Sequence, residues 1–150
     1  MNEQLSYDQD GLNLTEDSEG VRLTAYPDPG TGGDPWTIGY GHTGPEVFEG
    51  MVIDHAQAEQ FLREDIRSAE AAVKRFVHVE LTQHEFDALV DFTFNCGAGN
   101  LQHSTLLRLV NEGHFAEASQ HFGDWVKGGG HVLPGLVRRR HAEAVLFERE

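Results

Sequence analysis

The chain has one cysteine, Cys96, so no intrachain disulfide can form. Positive charge is scarce: 11 Lys and Arg stand against 25 Asp and Glu, for a formal net charge of −14. Binding a phosphate backbone needs a basic face, so nucleic acid is not an expected partner. No stretch reaches the roughly 18 apolar residues of a membrane span, and none is expected. The first 20 residues carry neither a basic start nor an apolar run, so no signal peptide is expected. Periodicity is missing too. The 17 glycines cluster instead of recurring, which excludes collagen-like and low-complexity readings.

What remains is the make-up of one globular domain. The 150 residues are 39% hydrophobic and 24% charged, ordinary for a folded protein. A chain this long buries roughly two thirds of its unfolded surface, so it needs no disulfide or metal to hold together. Cys96, within Phe94-Asn95-Cys96-Gly97, reads as a small buried filler.

Three regions follow one another. Residues 1–11 are polar and acidic and read as a loose arm, and residues 12–20 as a short helix. Residues 21–50 form a strand-bearing lobe, because Pro27, Pro29, Pro35 and several glycines interrupt Val21, Leu23, Tyr26, Trp36, Ile38 and Tyr40. From Asp54, a plausible N-cap, the pattern is helical to the end. Ala58, Phe61, Leu62, Ile66, Ala69, Val73 and Phe76 recur at three- and four-residue steps. Thr82 with Glu85 predicts a capping box, and Ser104 a third helix closing at Gly113. Phe115 to Phe122 predicts a short fourth helix. Gly128-Gly129-Gly130 predicts a flexible break, and Pro134 the first turn of a last helix.

The chemistry-bearing segment is Glu19-Gly-Val-Arg-Leu-Thr-Ala-Tyr26-Pro-Asp28, followed by Trp36-Thr37-Ile-Gly39-Tyr40-Gly41-His42-Thr43. Glu19 falls at the end of the first helix, Asp28 at the end of one strand and Thr37 at the start of the next. A hairpin would bring Asp28 and Thr37 together. A carboxylic acid with a separate carboxylate that holds a water is the equipment of glycoside hydrolysis. On spacing alone, a solvated acidic surface remains the plainer reading.

The same residues resemble a known family. Ser18-Glu19-Gly20, Arg22-Leu23-Thr24-Ala25-Tyr26 and Thr37-Ile38-Gly39-Tyr40-Gly41-His42-Thr43 look like the catalytic region of the phage-type lysozymes, the muramidase endolysins of glycoside hydrolase family 24. Phe86 to Phe92 with Phe94 to Gly99 resembles that family's central helix. Ser104-Thr105-Leu106-Leu107 resembles the next helix. Trp125, Gly135 to Arg140 and Glu143 resemble the closing helix. The likeness runs over about residues 12–148.

The resemblance implies an α+β, mostly helical fold: a small antiparallel sheet lobe, a larger helical lobe and a cleft between them, in one domain. It implies hydrolysis of the β-1,4 bond between N-acetylmuramic acid and N-acetylglucosamine in peptidoglycan. Glu19 would be the general acid, with Asp28 and Thr37 positioning the attacking water. Trp36, Tyr40 and His42 are the candidate substrate-binding residues: Trp36 for stacking, His42 for shaping the cleft. The family commonly has five residues between its Asp and Thr, where this chain has eight, Pro29 to Trp36. Asp34 is therefore a rival second carboxylate. Asp28 is favoured because it keeps the distance from Glu19 and the Tyr26 context.

Arg138, Arg139 and Arg140 cannot share one helix face, and one or two are expected to pair with acids inside the fold. Phe122 and Trp125 are expected in the core. The remaining histidines lack metal-ligand spacing, so no metal and no cofactor is expected. The expected partners are peptidoglycan strands and a holin-type membrane protein, with the enzyme a monomer waiting in the host cytoplasm, or carried in the phage particle. A lytic transglycosylase using Glu19 alone and a non-catalytic wall-binding phage component are the alternatives.

Overall fold

The computed structural model describes residues 1–149. The fold is α+β and mostly helical, with small antiparallel sheets, as expected. It divides into two compact units. One is Glu19–Arg67; the other joins Met1–Ser18 to the chain from Ser68 onward.

The Glu19–Arg67 unit holds a three-stranded antiparallel sheet, β1 (Arg22–Tyr26), β2 (Thr37–Gly39) and β3 (His42–Thr43), in the order β1-β2-β3. It extends past residue 50, where the strand-bearing lobe was expected to end, because α2 (His55–Phe76) contributes to its core. Ile38, Val47, Ile53 and Ala58 are buried together there, with Leu23, Ala25, Trp36, Tyr40 and Phe61 packed around them. Asp54 caps α2 as predicted, its carboxylate accepting from the Gln57 N–H at 2.8 Å.

The other unit is built around α3 (Gln83–Cys96), which packs mainly on α7 (Pro134–Glu148). Both ends of the predicted capping box are made: the Thr82 hydroxyl accepts from Glu85 N–H, and the Glu85 carboxylate accepts from Thr82 N–H. Then come α4 (Ala98–Gln102), α5 (Thr105–Asn111) and α6 (Phe115–Ser119), with a 3₁₀ turn at Phe122–Asp124. Ser104 caps α5 and Pro134 opens α7. Phe122 is fully buried, whereas Trp125 is only half-buried, edge-on to Phe92 at 5.8 Å.

Four expectations need correction. The N-terminal arm is not loose. Asn2 is 2% exposed, donates to Val79 C=O and accepts from Leu81 N–H, while Tyr7 N–H reaches the Glu70 carboxylate. The first helix, α1 (Gln9–Glu19), also starts earlier than read, because Asp8 accepts from the N–H groups of Asp10 and Gly11. The three glycines are not a break. Lys127–Gly128 (β4) and His131–Val132 (β5) form a hairpin, turned by Gly129 at φ 59° and Gly130 at φ 83°. Positive φ at both central residues is what a two-residue hairpin turn requires. Cys96 ends α3 half-exposed, with an Arg140 N–H on its sulfur.

An ionic network spans α1, α3 and α7. Arg139 grips Asp91 with two hydrogen bonds, of 3.0 and 2.8 Å. The Thr15 hydroxyl donates to Asp91 at 2.7 Å, and the Tyr7 hydroxyl meets Thr15 at 2.6 Å. Arg140 pairs with Glu143 at 2.7 Å. Two of the three arginines therefore pair with acids, as expected. Burial pushes Glu143 well above the usual carboxylate range. Burial would also raise Asp91, but hydrogen bonds from Glu143 and Arg139 overcome it and lower the pKa. One turn beyond Thr15, α1 ends at Glu19.

Candidate active site

Glu19, Asp28 and Thr37 all belong to the same compact unit. Glu19 is the last residue of α1 and is half-buried. Gly20 follows at φ 70°, a conformation that favours glycine, and turns the chain into β1. The Gly39-Tyr40-Gly41 turn between β2 and β3 comes up beside the Glu19 carboxylate. A Cβ placed on Gly41, at φ 82°, would stand 3.4 Å from Glu19 Oε1. The site needs a residue at position 41 that tolerates positive φ and leaves this carboxylate room.

Thr37 sits in the middle strand. It pairs with Tyr26 on β1 and with Thr43 on β3. β1 runs from Arg22 to Tyr26 while β2 runs only from Gly39 to Thr37, so β1 bulges. Asp28 lies two residues past Tyr26, at the base of the loop leading back to Thr37. Its carboxylate Oδ2 accepts from the N–H groups of Gly30 at 3.0 Å and Thr31 at 3.1 Å. Its own N–H and C=O close the loop through Gly33 and Gly32. Asp34, by contrast, is exposed, and its carbonyl accepts from the Thr31 hydroxyl. The extra loop residues are thus folded into a turn that Asp28 itself closes.

Trp36 and Tyr40 are half-buried and pack on the Ile38, Val47, Ile53 and Ala58 cluster, which supports the strand bearing Thr37. His42 is placed differently from a ligand-facing residue. It is 7% exposed, and both ring nitrogens are taken by carboxylates. Nδ1 lies 2.8 Å from Asp65 on α2, and Nε2 lies 2.5 Å from Glu46 in the turn after β3. Its ring stacks flat on Phe61 at 4.2 Å. Burial works to lower the His42 pKa, but the Asp65 and Glu46 hydrogen bonds and charges outweigh it and raise it. The His42 hydrogen bond in turn holds Glu46 below the usual carboxylate range. Asp65 and Glu46 escaped the sequence reading. No spacing announced them, because they reach the ring from a helix and a turn that only the fold brings together.

Residues 16–143 match the family model described as phage lysozyme. The chain belongs to the phage lysozyme family. An endolysin of Bacillus phage B103 is 43% identical over 143 residues, covering 95% of this chain and 54% of that relative, so the chain spans about half of its length. Among solved structures, the muramidase domain of SpmX from Asticaccaulis excentricus superposes with a TM-score of 0.88 at 38% identity, covering 98% of this chain and 100% of that one. A mutant lysozyme of phage P22 superposes with a TM-score of 0.85 at 32% identity, covering 96% and 99%. The motif Glu19 to Thr43 lies inside the matched region and within one compact unit.

Proposed function

We propose that this phage lysozyme, a single catalytic domain, hydrolyses the β-1,4 bond between N-acetylmuramic acid and N-acetylglucosamine in peptidoglycan. Glu19 protonates the leaving glycosidic oxygen. Asp28 takes a proton from a water held with the Thr37 hydroxyl. That water attacks the anomeric carbon from the face opposite the leaving group, so configuration inverts. The scheme uses no metal or cofactor. Trp36 and Tyr40 offer aromatic surface to the sugars, while His42 shapes the turn.

One observation carries the reading: the two carboxylates have different surroundings. Glu19 sits at a helix end, close against the Gly41 turn. Asp28 is held by the two backbone N–H groups of Gly30 and Thr31. The same anchoring favours Asp28 over the exposed Asp34. The proposed enzyme is a monomer that waits in the host cytoplasm, reaches the wall with the help of a holin-type partner and cleaves its glycan strands; kinship with endolysins supports the wall as its target.

Product analysis of digested, purified peptidoglycan tests the reaction. Hydrolysis yields muropeptides with reducing muramic acid ends. A 1,6-anhydro end would assign a transglycosylase using Glu19 alone. No product at all would leave a wall-binding phage component.

A further inference from the structure

The loop after β1 treats the two oxygens of the Asp28 carboxylate differently. Oδ2 accepts from the N–H groups of Gly30 at 3.0 Å and Thr31 at 3.1 Å; among the described residues, Oδ1 takes no hydrogen bond. An ionised carboxylate accepts on both oxygens, so Oδ1 keeps its capacity for a water. The torsion that turns an aspartate carboxylate is soft, and only partners fix it. Here those partners are two N–H groups of a loop, so the loop itself must be held. The Thr31 side chain holds it. Its hydroxyl donates to Asp34 C=O at 2.6 Å and accepts from Gly33 N–H at 3.2 Å. Thr31 is exposed, so these bonds serve the loop and no core. The fit is close: a Cβ on Gly30 would stand 3.1 Å from Asp28 Oδ2.

We propose that Thr31 is a positioning residue for hydrolysis, its hydroxyl locking the loop so that Asp28 is held by Oδ2 and meets the attacking water through Oδ1. The proposal rests on the reading of Asp28 as the base. Without the hydroxyl, the loop loses its tie from Thr31 to Gly33 and Asp34. The Gly30 and Thr31 N–H groups then drift from Oδ2, the carboxylate turns, and Oδ1 no longer points steadily at the water. Trp36 and Tyr40 keep their packing on the Ile38 cluster, so the aromatic surface offered to the sugars is unchanged. Turnover falls, and KM changes little.

The test measures kcat and KM on purified peptidoglycan, with melting temperatures, for the wild type, Thr31→Val, Thr31→Ala and Thr31→Ser. Valine keeps the shape and removes the hydroxyl; alanine removes it a second way, should valine disturb the loop. Both should lower kcat on the order of 10-fold, the effect of a misplaced group, against 10²–10⁴-fold for losing the carboxylate itself. Serine restores the hydroxyl and should restore kcat. An unchanged kcat in both deletions overturns the proposal. So does a raised KM at constant kcat, which would make Thr31 a substrate contact, or a serine variant as slow as valine. Thr31→Val is then repeated in an Asp28→Asn background. A hydroxyl that acts through Asp28 adds no further loss there, whereas the same loss again shows that it acts elsewhere and overturns the proposal. The Asp28→Asn variant also keeps the two claims separate. If it is crippled while Thr31→Val is not, only the role of Thr31 fails. If it turns over at a near wild-type rate, the reading of the base fails first.

Discussion

Asp28 and Asp34 share one turn, and the backbone treats them differently. Asp28 is held by two N–H groups, whereas Asp34 is exposed at the far side of the loop. Asp28→Asn should therefore cost on the order of 10²–10⁴-fold in kcat, the range for losing a positioned base, while Asp34→Asn should leave kcat almost unchanged. Steady-state rates on purified peptidoglycan decide it, and the opposite ranking would transfer the role to Asp34. A second residue makes a pH prediction. Asp87 is fully buried, its Oδ2 has no hydrogen-bond partner, and burial together with the neighbouring Asp8 pushes its pKa up to about 8. The folded state then holds a proton that the unfolded chain releases near pH 4, so folding stability falls as pH rises from about 4 to about 8 and levels off above that. Asp87→Asn is nearly isosteric and cannot ionise. Its melting temperature should match the wild type near pH 4 and exceed it at pH 8. Parallel melting curves at both pH values would contradict this.

At the scale of elements, the first helix depends on a missing side chain. The Tyr7 ring lies across Gly11, where a Cβ would come within 2.4 Å of it, and the Tyr7 hydroxyl reaches Gly11 C=O and Thr15. Alanine is the better helix former by about 0.5–1 kcal/mol, but overpacking a rigid ring costs about 1–3 kcal/mol. Gly11→Ala should therefore lower the melting temperature, by about 2–4 °C for each kcal/mol lost in a chain of this size. A rise would mean that Tyr7 yields easily. Thr15, one turn on, links the same helix to Asp91, which Arg139 grips.

At the scale of the whole molecule, what the sequence revealed was mostly local. The Asp54, Thr82 and Ser104 caps and Pro134 in a first turn act within four residues, so their spacing announces them. Glu19, Asp28 and Thr37 were named from the sequence as one motif, and the structure places them in one compact unit. The anchored N-terminus was not, because Asn2 finds its partners at Val79 and Leu81, far along the chain. The arginine pairing was foreseen in kind, but its partner Asp91 lies 48 residues from Arg139 and only tertiary packing selects it. The β4–β5 hairpin was missed because two-residue strands leave no alternating pattern. The carboxylate partners of His42 were missed because they sit on a helix and a turn whose meeting no spacing specifies. The central claim is that Glu19 supplies the proton for glycan cleavage. The most direct measurement is the rate of reducing-end release from purified peptidoglycan by Glu19→Gln, with its melting temperature taken alongside. The account predicts a loss on the order of 10²–10⁴-fold with the melting temperature within a few degrees of the wild type. A folded Glu19→Gln that releases reducing ends at a near wild-type rate would contradict it.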